Sequence, residues 1–136
     1  MNKESFEKTT EILENNYQRY LELGGIINEK DYDRALTRLK EAEIEQDIPD
    51  KGQIEQVEEM LVFAGIELRF RDIYRTVKLY SILRDDVRSE GVKYHHDQMC
   101  DQQIFVEALR MLGDIESRDK MINAYPNISF EYEKGK

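Results

Sequence analysis

The chain has 136 residues, 40% of them hydrophobic and 36% charged, with only two prolines and seven glycines. That balance fits one helical globular domain with a modest core and excludes a disordered or proline-rich chain. A formal net charge of −9 disfavours nonspecific DNA binding by the whole molecule, and a single cysteine, Cys100, excludes an intrachain disulfide framework.

No apolar run approaches the roughly 20 residues that span a bilayer, and Met1–Ser5 does not open a secretory leader, so a cytoplasmic chain without membrane contact is expected. The charge is uneven. Residues 1–50 hold 7 basic and 13 acidic groups, residues 51–91 hold 7 and 8, and residues 92–136 hold 6 and 8. The expected fold is all-α: about five helices in an oligomerising bundle around one long central helix. A single domain over 1–126 would comprise an acidic helical hairpin (1–50) and a helical core (51–126). Residues 127–136 would be a tail, with Ile128–Phe130 able to add a short extended segment.

The first predicted helix runs from about Ser5 to Leu23. Phe6, Leu13 and Tyr20 recur at seven-residue intervals, and Gly24-Gly25 stops it. The second opens at Asn28, an N-cap residue followed by acidic Glu29 and Asp31. It presents Tyr32, Ala35, Leu36, Leu39 and Ala42 as one stripe and ends near Gln46, before Ile48-Pro49. Asp50 with Gln53 three residues on reads as a capping box for the third, whose apolar positions are Ile54, Val57, Met60, Leu61 and Ala64. Gly65 is either a break or only a weak point.

The fourth is the most informative. Ile66 to Glu90 contains neither Gly nor Pro, and at about 100° per residue its apolar groups cover well over half the circumference. Phe70, Tyr74, Val77, Tyr80 and Val87 are its candidate core or oligomer-interface residues. A helix apolar on so many sides must be packed on more than one of them. Val92 to Cys100 reads as a loop. The fifth helix starts near Asp101, carries Ile104, Phe105, Ala108, Leu109, Leu112, Ile115 and Ile122, and ends before Pro126.

Chemical motifs are few. Tyr94-His95-His96-Asp97 with Cys100 contains zinc-ligating residue types, but the chain has no second His or Cys pair to complete a tetrahedral set, so a polar loop entering a helix is the better reading. Glu55, Glu58 and Glu59, with Glu67 and Asp72, resemble the acids of a magnesium-dependent hydrolase in type only; a solvated helix face accounts for them. There is no phosphate-binding glycine loop and no nucleophile in a recognisable setting, so no catalytic residue, cofactor or metal is assigned.

Arg71, Arg75 and Lys78 share one face of the long helix and are the candidate nucleic-acid contacts. Glu67 and Asp85 on the same face favour a self-paired, solvated strip instead. Tyr17, Tyr20, Tyr32, Tyr74 and Tyr80 fall at stripe positions and read as packing residues rather than a stacking platform for bases.

The second half resembles the carboxy-terminal region of one group of phage small terminase subunits. There a long aromatic-rich helix ends in an acid-Gly pair, a short polar loop follows, and another helix closes the domain. The corresponding residues are Ile73-Tyr74, Leu79-Tyr80 and Val87-Arg88-Ser89-Glu90-Gly91, then Val92 to Gln98, then Ala108-Leu109-Arg110-Met111-Leu112 and Ile115-Glu116-Ser117-Arg118. Two departures stand out. Asp101-Gln102-Gln103 replaces the proline that often opens the family's last helix, and the amino-terminal segment is acidic rather than basic. The resemblance implies a ring-forming, non-catalytic subunit that selects double-stranded viral DNA and hands it to the large packaging subunit.

Two other readings stay open. The acidic helices could imitate phosphates with Glu4, Glu7, Glu11, Glu14 and Glu22 and with Glu41, Glu43, Glu45 and Asp47, making the chain an inhibitor or adaptor for a basic protein partner. It could equally be an assembly component that forms oligomers without touching nucleic acid.

Overall fold

The computed structural model describes residues 15–45, 49–68, 70–88 and 99–130, the side chains of residues 70–72 excepted. Those residues form six helices and no strand, an all-α bundle: α1 (Tyr17–Glu22), α2 (Glu29–Ile44), α3 (Lys51–Ala64), α4 (Phe70–Arg88), α5 (Asp101–Met111) and α6 (Ile115–Ala124). No helix among them is long and apolar enough to cross a membrane.

Local chemistry sets the boundaries. Asn28 caps α2 by accepting a hydrogen bond from the Asp31 amide at 2.9 Å. Asp50 caps α3 by accepting from the amides of Gly52 at 2.7 Å and Gln53 at 3.4 Å. Gly65 ends α3 in the left-handed region at φ 69°, where the Gly65 amide donates to the Val62 carbonyl and the Ile66 amide to that of Leu61. These paired bonds satisfy the last free carbonyls and turn buried Ile66 back onto the core.

Three boundaries differ from those read in the sequence. The helix read from about Ser5 to Leu23 is not helical at Asn15 and Asn16, so α1 begins at Tyr17, and residues 5–14 of that expectation lie outside the described residues. Because Gly65 is a full break, Ile66 to Leu68 is not helical and the long helix begins at Phe70. The expected fifth helix is two. Gly113, at φ 75°, repeats the same closing bonds through the Gly113 and Asp114 amides, and Asp114 then caps α6 by accepting from the Ser117 amide at 3.0 Å. The apolar period runs through this corner, so periodicity alone does not reveal it.

Helices α4 and α5 form the centre. Every residue from Arg75 to Leu83 on α4, and from Ile104 to Met111 on α5, is buried. The two pack on each other, with Tyr80 and Phe105 meeting edge to face at 6.0 Å. The α2 stripe of Tyr32, Ala35, Leu36, Leu39 and Ala42 is buried as its spacing requires, and α2 packs on α4. Helix α3 lies against α4 and α6 through Val57, Met60 and Leu61. Each such fully buried side chain contributes about 1.5–3 kcal/mol. Tyr17, Tyr20 and Tyr32 cluster with ring centroids 4.9–6.0 Å apart, so these tyrosines are packing residues.

The carboxy-terminal segment does not leave the fold at Pro126. Phe130 is buried, its carbonyl accepts from Arg110 Nη2 at 2.9 Å, and the Ser129 carbonyl accepts from Gln103 Nε2 at 2.7 Å.

Candidate protein-binding face

Helix α3 is amphipathic in an unequal way. Val57, Met60 and Leu61 face inward, while Glu55, Glu58, Glu59 and Val62, at i, i+3, i+4 and i+7, share the outward face with Phe63 at its edge. Val62 is 81% exposed and Phe63 64% exposed; among the described residues only Ile44 is another large apolar side chain so open to water. Phe63 stacks on Tyr125 of α6 with ring centroids 4.8 Å apart and still leaves most of its surface free. The three glutamates form no ion pair among the described residues, and Lys51 is the one base on that face. The sequence reading passed over Val62 and Phe63 because they lie off the apolar stripe. The signal was their register with the glutamates.

The face is held in place from below. Asp101, opening α5, accepts from Gln56 Nε2 of α3 at 2.6 Å and from Arg84 Nε and Arg88 Nη2 of α4 at 3.3 and 3.1 Å. One carboxylate therefore ties three helices together, and Arg88 Nη1 adds a bond of 3.0 Å to the Met99 carbonyl. On the far side of α4, Asp86 is buried against Arg34 and Arg38 of α2.

The candidate nucleic-acid strip is not the solvated surface expected of it. Arg75 and Lys78 are 8% and 7% exposed. The physical reason is that α4 is covered on its charged side as well, with Glu43 of α2 close enough to Arg75 to feel its charge. Burial nonetheless outweighs Arg75 and pushes the Glu43 carboxyl up to about 7. The Arg71 and Phe70 side chains lie outside the described set. Of the other interface candidates, Val77 and Tyr80 are core residues, while Tyr74 and Val87 are half-buried. As folded, then, Arg75, Lys78, Tyr74, Val77, Tyr80 and Val87 belong to the interior or its margin.

Tyr94, His95, His96 and Asp97 lie outside the described residues. Cys100 is half-buried at the α5 N-cap, where its amide donates to Gln103 Oε1 at 2.8 Å. Among the described residues no group of three His, Cys, Asp or Glu side chains is placed to hold a metal ion. Glu55, Glu58, Glu59 and Glu67 are exposed, and so are Glu22, Glu41 and Glu45 of the acidic amino-terminal third.

A buried polar node lay beyond the sequence reading. Glu107 and Arg110, one turn apart on α5, are both buried and joined at 3.1 Å. Glu107 Oε1 accepts from the Ile26 amide at 2.9 Å, and the Tyr20 hydroxyl accepts from the amides of Ile26 and Ile27 at 3.1 and 3.0 Å. Burial pushes the Glu107 carboxyl up to about 7 against the opposing pull of Arg110 and the amides. These bonds pin the α1–α2 corner and the Phe130 segment to the same helix.

Comparison with protein-family models, curated proteins and solved structures finds no match.

Proposed function

We propose that the chain is a non-catalytic helical protein that acts by binding other protein chains. One observation carries this: Val62 and Phe63, adjacent on α3, both stand in water, while among the described residues Ile44 is the one other large apolar side chain so exposed. A contiguous apolar pair rimmed by charge is the ordinary anatomy of a contact surface. The assembling form of this reading is a phage small terminase subunit. It would associate with copies of itself, recognise double-stranded DNA and regulate the large packaging subunit in the host cytoplasm. The resemblance of residues 73–118 to that group supports it.

The burial of Arg75 and Lys78 favours a second form, an acidic inhibitor or adaptor for a basic protein. Exposed Glu22, Glu41 and Glu45 are available to steer such an encounter.

Absolute mass by light scattering coupled to size exclusion, at low and at moderate salt, separates the two. A salt-resistant closed assembly of many subunits that also shifts double-stranded DNA supports the terminase form. A monomer or dimer that ignores DNA overturns it in favour of the adaptor.

A further inference from the structure

We infer that the outward face of α3 is a docking site for a basic amphipathic helical segment of another protein, with apolar side chains on Val62 and Phe63 and Lys or Arg opposite Glu55, Glu58 and Glu59. The inference deepens the protein-binding reading by naming its surface and the chemistry of its occupant.

Geometry comes first. From Glu55 to Phe63 the face spans nine residues, about 12 Å end to end at a rise of 1.5 Å per residue. That suits two to three turns of a helix laid against it, whose anchors at i, i+3, i+4 and i+7 would meet the Val62 and Phe63 end. Tyr125 extends the apolar ground beside Phe63 with a half-buried ring. The floor is firm: Val57, Met60 and Leu61 anchor the opposite side of α3 in the core, and Gln56 is bonded to Asp101. A partner would thus meet a preformed surface and lose less ordering entropy on binding.

Charge selects the occupant. Glu55, Glu58 and Glu59 lie on the same face, uncompensated by any ion pair among the described residues. An acidic segment meeting three like charges is repelled. A neutral apolar segment would cover the glutamates without pairing them, leaving desolvated charge. A segment with bases spaced to meet them gains charge-assisted hydrogen bonds and covers Val62 and Phe63 at the same time. A second copy of this chain, net charge −9, is a poorer fit to an acidic face.

The probe is a 14-residue helical peptide of Leu at i, i+3, i+4 and i+7 with Lys elsewhere. An otherwise identical Leu/Glu peptide is the control, and binding to the full chain is followed by fluorescence anisotropy. Saturable binding is expected for the Lys peptide only, weakening with salt. Val62→Lys should weaken it at least tenfold, and so should Glu55→Gln/Glu58→Gln/Glu59→Gln. Because those side chains are exposed, both variants should keep the wild-type circular dichroism; Phe63, which contacts Tyr125, is left in place so that folding is not at risk.

Binding undiminished by either variant overturns the face while leaving the protein-binding reading standing. Equal binding of the Leu/Glu peptide overturns the basic occupant. If neither peptide binds and light scattering shows an assembly that Val62→Lys dissolves, the occupant is a second copy and the inference falls. If neither binds and the chain is a monomer, the inference falls, while the adaptor form of the reading beneath it, which rests on Glu22, Glu41 and Glu45, stands.

Discussion

Arg110 Nη1 donates to Glu107 Oε2 at 3.1 Å, with both side chains withdrawn from water on the central face of α5. An ion pair in such a place is a weak source of stability but a costly thing to break, because either partner alone is a buried charge without an answer. Arg110→Met at pH 8 should therefore cost about 3–5 kcal/mol in urea unfolding, since it strands Glu107 and frees the Phe130 carbonyl. Glu107→Gln keeps an acceptor for the Ile26 amide and should cost less. An Arg110→Met midpoint equal to wild type would show that the node is not closed in solution.

Stability should fall as pH rises through neutrality. Glu43 and Glu107 hold their protons up to about 7 in the folded chain against an ordinary value of 4.5. In each case burial is the main cause. The folded state thus binds more protons than the unfolded state between those values. Their contribution is fully present below about 4.5 and is lost as pH climbs through about 7. The urea midpoint should be higher at pH 5.5 than at pH 8, and Glu43→Gln with Glu107→Gln should flatten the difference. A midpoint that rises with pH and is indifferent to both substitutions would contradict the assignment.

Two glycines should respond to alanine for different reasons. A Cβ on Gly25 would sit 2.3 Å from the Tyr20 ring, which is itself held by the Ile26 and Ile27 amides and cannot swing aside cheaply. Overpacking there should cost about 1–3 kcal/mol. Gly65 has open space around its Cβ direction but a φ of +69°, so Gly65→Ala meets only the left-handed penalty, about 1–2 kcal/mol. Thermal unfolding of both variants tests this. Gly25→Ala should also perturb the near-ultraviolet tyrosine signal, and Gly65→Ala should not.

What could be read in the sequence was what acts locally. Asn28 and Asp50 cap the helices they precede, and Tyr32 to Ala42 bury the stripe that their spacing describes. The corner at Gly113 was hidden because Leu112 and Ile115 continue the helical period across a turn made by backbone conformation alone. The burial of Arg75 and Lys78 was hidden for another reason. Periodicity records which side chains share a face, not which helix covers that face, and here Glu43 comes from another helix, α2, distant in sequence from Arg75. The same limit concealed Asp101, whose partners Gln56, Arg84 and Arg88 come from two other helices.

The long helix supplies the last prediction. Val77 and Tyr80 are fully buried, with Tyr80 against Phe105. Val77→Asp or Tyr80→Asp therefore places an unpaired carboxylate in the centre of one protomer, not at a margin between protomers. The cost should exceed about 4 kcal/mol, enough to unfold a marginally stable domain. Circular dichroism should show lost helix at every protein concentration, whereas loss of an interface residue would leave a folded chain of smaller mass. A folded Tyr80→Asp protein with wild-type unfolding behaviour would mean that α4 is not buried as described. Val62→Lys should give the opposite pattern, with folding intact and only binding altered, so the two variants together distinguish the core helix from the contact helix.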